Sequence, residues 1–268
     1  MLLLWITHNA LLFTPIFADE PSGLSAKILA DTSYSWQHDQ STHFHIHYPK
    51  NSYASHGLPT IKRNLEDAFT LALSALDTTR YNHRIDVFYV DRRADIQRLM
   101  DIGATGIATA YEHNVILVYN PVQAPPERHE VLHVLHENIW GEGAEPYEWF
   151  REGLAIHVEG LCGPYTNEQL AAYLLHEGQL LSLEELIFHF NEHDEMVRGT
   201  QAGSFIDFLY QKYDVAQLRK LWTLGAKNIE QALGAPLDTI DAMFREYLKS
   251  VPLDGVIIDW FLLSRKGC

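Results

Sequence analysis

The chain of 268 residues has only two cysteines, Cys162 and Cys268, far apart in sequence. Two thiols cannot build a zinc cluster by themselves, and the sequence leaves open whether they pair or stay reduced. Basic residues are also scarce: 20 Lys and Arg stand against 35 Asp and Glu, a formal net charge of −15. A surface this acidic repels phosphate backbones, so no nucleic-acid partner is expected. After residue 18 no apolar run approaches the roughly 20 residues that a spanning helix needs. There is no internal repeat and no low-complexity segment.

What is present is an ordinary globular composition, 47% hydrophobic and 21% charged, in a chain long enough to bury a substantial core. Residues 1–18 (MLLLWITHNALLFTPIFA) are largely apolar and end on a small residue before Asp19 and Glu20. This reads as a secretory signal peptide cleaved after Ala18. No Lys or Arg precedes the apolar run, and His8 and Asn9 interrupt it, so an uncleaved N-terminal anchor is the competing reading. The expectation is an exported protein, periplasmic or secreted, without stable membrane insertion once the segment is removed.

Residues 19–40 are polar and read as loop. Residues 42–48 (THFHIHY) alternate strictly and predict a strand, with Phe44, Ile46 and Tyr48 on one face and His43, His45 and His47 on the other. Ile61, Leu65, Phe69, Leu73 and Leu76 recur at helical spacing and predict an amphipathic helix over 58–76. Residues 85–90 (IDVFYV) predict a buried strand and 95–100 a short helix. Residues 106–111 and 114–119 predict two strands joined tightly at Glu112-His113. From Arg128 to about Ser250 the pattern is helical, and an apolar tail (VIIDWFLL) follows. Strands first and helices after predict an α+β fold with a boundary near Pro126. The expected organisation is a signal peptide over 1–18, an N-terminal sheet part over 19–127, a helical part over 128–250 and a tail over 251–268.

Residues 129–133 read HEVLH. On a helix, positions i and i+4 share a face, so His129 and His133 can direct ring nitrogens at one ion while Glu130 reaches a water beside it. The blander reading is a surface helix with scattered His and Glu. Residues 149–160 (WFREGLAIHVEG) strengthen the metal reading. A catalytic zinc uses three protein ligands and one open position, and Glu152 on a second helix can supply the third ligand. Gly141, Gly143 and Pro146 supply the intervening loop, and small Gly153 and Ala155 would let the two helices approach closely.

HEVLH followed by WFREGLA resembles the gluzincin zinc peptidases, and within them the peptidase-MA-like group with its W-x-x-E-G-L-A second motif. The segments THFHIHYP, IDVFYVDRRADIQRL and AGSFIDFLYQKYD are similarly placed in that group, so the resemblance spans about residues 40–250. It implies a zincin-like arrangement, with the active-site helix between the mixed sheet and the helical lobe. It also implies one Zn2+ held by His129, His133 and Glu152, with Glu130 as general base and a peptide or protein as substrate. By the same resemblance, the strand over 106–111 would lie at the sheet edge beside the metal. A metzincin would carry glycine at position 136 and histidine at 139; His136 and Ile139 stand there instead.

One departure concerns the oxyanion. The group usually places a Tyr a few residues before A-G-S-F, yet no Tyr occurs between Tyr173 and Tyr210. His157, His193 and Arg198 are candidate transition-state stabilisers, with His189 nearby. A catalytically weak or inactive zinc-binding assembly factor is therefore the alternative function.

Three further features read more plainly as structure. His43, His45 and His47 can gather a second ion, but period-two histidines on a solvent-facing strand are the simpler reading. His136 reads as a packed or solvated histidine. Phe205, Phe208 and Leu209 read as core, and Tyr111, Trp140 and Trp149 as buried aromatics rather than groove lining.

Overall fold

The computed structural model describes residues 23–253 and 255–266, so the segment read as a signal peptide and Cys268 lie outside the described residues. The first half contains α1 (Gly23–Leu29), β1 (Trp36–Gln40), β2 (Phe44–Pro49), α2 (Tyr53–His56), α3 (Leu58–Ala75), β3 (Ile85–Val90), α4 (Arg93–Met100), β4 (Gly106–Thr109) and β5 (Asn114–Val118). The second half begins with α5 (Glu127–Trp140) and α6 (Glu148–Glu159), then a small hairpin of β6 (Leu161–Cys162) and β7 (Tyr165–Thr166). It continues with α7 (Asn167–His176), α8 (Leu183–Phe188), α9 (Glu195–Lys212), α10 (Val215–Leu224), α11 (Ile229–Leu233), α12 (Leu237–Lys249) and α13 (Trp260–Lys266). The fold is α+β: a five-stranded mixed sheet with helices, followed by a mainly helical half.

The sheet order is β1-β2-β3-β5-β4. The three central strands run parallel, while β1 and β4 are antiparallel edges. Both faces are covered, which explains the continuous apolar runs of β3 and β5. Ile85, Val87, Tyr89, Val115 and Leu117 enter the main core with α3 and α5. Phe88, Val90, Ile116 and Val118 point the other way, against Ile28 of α1 and Ile96 of α4. The main core runs without a break across Pro126, from the sheet through α5 and α6 to α9 and α12.

Three expectations need correction. Residues 19–40 are not all loop, since α1 and β1 fall among them. α1 buries only Ser25 and Ile28, and β1 is an edge strand with no fully buried residue, so neither carries a strong apolar period. The strand over 106–111 stops at Thr109 and passes into a single 3-10 turn, Ala110–Glu112, closed by His113 in the left-handed region. The histidine face of β2 does not face solvent: His47 is buried and its ring stacks on Phe88 with centroids 4.5 Å apart.

Gly153 also serves a different contact from the one its position suggested. A Cβ there would lie 2.8 Å from the Ala202 carbonyl oxygen, so the close approach it permits is between α6 and α9 rather than between α6 and α5. Phe205 and Leu209 are completely buried and Phe208 nearly so.

Candidate metal and active site

α5 is unusual in burying more than one stripe. Val131, Leu132, Val134 and Leu135 are all at 0% exposure, because sheet, α3 and α6 enclose the helix. His129 and His133, one turn apart, set their rings with centroids 4.7 Å apart at 82°. From α6, Glu152 brings Oε2 to 3.3 Å from His129 Nε2 and Oε1 to 3.6 Å from His133 Nε2.

One donor atom from each of the three residues lies within 4.8 Å of the other two. Among the described residues this is the one group of three or more His, Cys, Asp or Glu side chains that converges so. His133 is buried while His129 and Glu152 are half-buried, so the cluster has a wet side. The donor set of two imidazoles and one carboxylate fits a divalent borderline ion such as zinc, which these three residues would hold.

The charges follow from mutual contact. Burial works against a proton on His129, but Glu152 and Glu159 outweigh it and raise that group to about 10. Burial would raise Glu152, yet His129, His133 and Arg151 hold it well below the usual carboxylate range. His133 is pushed down by burial and stays neutral. His129 therefore favours its protonated form beside the two carboxylates, and a metal ion would have to displace the added proton.

Supporting groups surround the trio. Arg151 donates from its guanidinium to Glu137 Oε1 at 2.9 Å and to Glu152 Oε1 at 2.6 Å. Glu159, two helical turns beyond Glu152, places Oε2 3.6 Å from His129 Nδ1, too long for a direct hydrogen bond. These residues were missed by sequence reasoning, although the seven-residue step from Glu152 to Glu159 puts them on one face. Glu159 also lines a cleft of about 270 Å³ with Asn64, Asp67, Glu127 and Arg128 at the start of α5.

Glu130 is buried and lies against Gly106 of the edge strand β4. A Cβ at Gly106 would come within 2.5 Å of Glu130 Oε1. Burial raises the Glu130 carboxyl to about 7, with His129 opposing. A carboxylate so poised can exchange protons near neutrality.

The proposed transition-state groups are engaged elsewhere. His157 pairs with Asp207, which also accepts from Asn167 Nδ2 at 3.2 Å, and its ring stacks on Tyr210 at 4.4 Å. His193 Nε2 sits 3.1 Å from Glu185, and Arg198 donates to Asn191 and lies over the Phe190 ring. His189 contacts Glu192. Among the described residues, none of these four makes a hydrogen bond or ion pair to the trio.

His136 is fully buried among Trp140, Phe150 and Trp222, with neither ring nitrogen partnered among the described residues. Burial pushes it down to about 3, so it is a neutral packing group. Trp140 and Trp149 are buried as expected; Tyr111 is not, standing 69% exposed with its hydroxyl donating to Glu142 at 2.8 Å. Cys162 is disulfide-bonded. No helix among the described residues is long and apolar enough to cross a membrane. No protein-family model matches the chain, and no curated protein matches it.

Proposed function

We propose that this chain is a zinc-dependent peptidase of the gluzincin type. The observation that carries the reading is the convergence of His129 Nε2, His133 Nε2 and the Glu152 carboxylate at one point, with buried Glu130 alongside. His129, His133 and Glu152 would hold the zinc, which when bound would supply Lewis-acid activation of water and of the scissile carbonyl. Glu130 takes a proton from the attacking water and delivers it to the leaving amine. Its raised pKa suits both halves of that exchange.

Among the described residues β4 is the last strand of the sheet and one side of its backbone has no strand partner, and Gly106 brings that strand against Glu130. An extended peptide adding to β4 by main-chain hydrogen bonds would pass beside the base. An exported location accords with the bonded Cys162, since disulfides persist in oxidising compartments.

The decisive experiment measures zinc content and peptide-library digestion for wild type and Glu130→Gln. The expected outcome is one zinc in both and a rate loss of about 10²–10⁴-fold in the variant. Equal turnover removes Glu130 as base. A second reading, a zinc-binding assembly factor with little catalysis, is favoured by the engagement of His157, His193 and Arg198 away from the trio. Zinc in both proteins with no digestion by either selects it.

A further inference from the structure

At the opposite edge of the sheet from β4, His38 of β1 and His47 of β2 face each other across the antiparallel register. Their Nδ1 atoms are 2.8 Å apart and their rings nearly perpendicular. Nitrogens at that distance share a hydrogen bond, so one carries a proton and the other presents a lone pair.

His47 cannot step aside. Its ring is buried and stacked on Phe88, and its Nε2 lies 2.9 Å from Asp86 Oδ1. Asp86 is buried and accepts from Ser25 Oγ of α1 at 2.5 Å. Burial alone would raise this carboxyl, but His45, His47 and Ser25 hold it well below the usual carboxylate range, so it is an acceptor only. The proton on His47 Nε2 is thereby fixed, and this ring gains or loses its second proton at Nδ1, the atom facing His38.

The other charged groups around the pair are engaged. His45 Nδ1 lies 3.5 Å from Asp86, and its Nε2 lies 3.2 Å from Arg84. Asp39 of β1 pairs with Lys62 of α3, and on the α4 side Asp95 pairs with Arg92 and Arg98 with Asp31. Lys27 of α1 is exposed. Among the described residues, Asp86 is the one carboxylate that pairs with either ring.

The proton count decides whether the contact survives. Two neutral rings, or one neutral and one charged, keep a single proton between the Nδ1 atoms. When both are charged, two N–H groups confront each other, so the hydrogen bond is lost and like charges repel. His38 is exposed on an edge strand, so it is the ring that turns away. Its pKa is lowered from the ordinary 6.5, by burial first and then by the charge of His47. The unfolded chain takes up that proton before the folded one, so the contribution is complete above pH 6.5 and declines as the pH falls below it.

We infer that the His38–His47 contact is an acid-released latch, which ties edge strand β1 to β2 at neutral pH and lets that strand loosen when both rings are charged. A loosened β1 bares the outer backbone edge of β2. The latch is independent of the peptidase reading.

The experiment follows the full chain from about pH 7.5 to about pH 5, the range in which histidines titrate. It records ring 15N signals and amide-exchange protection factors corrected for intrinsic exchange. At neutral pH one of the two Nδ1 atoms is expected to be protonated, and at acid pH both. Protection across the β1–β2 ladder should fall about 10-fold, the scale of one hydrogen bond lost, while the β3–β5 ladder stays protected. In His38→Phe, which removes the titrating ring from an exposed position, β1–β2 protection should not change with pH; circular dichroism checks its fold. Constant protection in wild type, an equal fall in His38→Phe, or two protonated Nδ1 atoms at neutral pH overturns the inference. The fall in a chain that takes up no zinc leaves the latch standing and removes the peptidase reading.

Discussion

Gly106 and Glu130 touch across the boundary between sheet and helix: a methyl group at position 106 would sit 2.5 Å from Glu130 Oε1 and 2.8 Å from Glu130 Cγ. An edge strand is thereby pressed onto a buried carboxylate. Gly106→Ala is expected to displace the Glu130 side chain without touching His129, His133 or Glu152. Peptide hydrolysis should fall by about 10²-fold, the usual consequence of a catalytic group misplaced by an ångström. Zinc content should stay at the wild-type level. A variant with normal turnover would show that the contact does not position the base.

Glu152 comes from a different helix than the two histidines, so its removal separates metal binding from folding. Glu152→Ala should weaken zinc binding while far-UV circular dichroism stays unchanged, because the core runs on through α5, α6 and α9 without the metal. Unaltered zinc affinity would remove Glu152 from the site.

Arg151 links Glu137 to Glu152 through hydrogen bonds of 2.9 and 2.6 Å. Arg151→Met keeps most of the side-chain bulk and deletes both links. Groups that orient a ligand typically contribute about 10–100-fold in metal affinity, and a loss of that size is expected in competition with a chromophoric chelator. Affinity equal to wild type would mean that packing alone orients Glu152.

His136 couples stability to acid. Its folded pKa is depressed to about 3 by burial, against an ordinary value of 6.5. Between those limits the unfolded chain binds a proton that the folded chain refuses, so this residue's contribution is intact above pH 6.5 and declines as pH falls toward 3. His136→Leu should flatten the fall in urea-unfolding stability between about pH 7 and pH 4. An unchanged pH slope would assign the acid sensitivity to other groups.

Much of this architecture is legible without coordinates where one period dominates. The 3.6-residue spacing of Ile61, Leu65 and Phe69 marks α3, and the unbroken apolar runs of β3 and β5 mark strands buried on both faces. HEVLH and Glu152 mark the trio of side chains that could hold a metal ion. Legibility fails where an element is short, polar or at an edge: α1 shows a single buried aliphatic, and β1 reads WQHDQ. It fails also where the covering partner is distant in sequence. The histidine face of β2 appears solvent-exposed until α1 and α4 are laid over that side of the sheet, and Gly153 appears to serve α5 until α9 is seen against it.

Local spacing was enough to set His129 and His133 on one helical face, since helix geometry dictates which side chains are neighbours within a turn or two, whereas Glu152 was nominated by the WFREGLA motif and the resemblance it carries. The chain's tertiary packing decided the rest: that Glu130 lies under Gly106, that Arg151 grips Glu152, that His157 faces Asp207, and that His38 meets His47. Those contacts join residues from different elements, and their distances depend on how helices and strands stack, which no local period encodes.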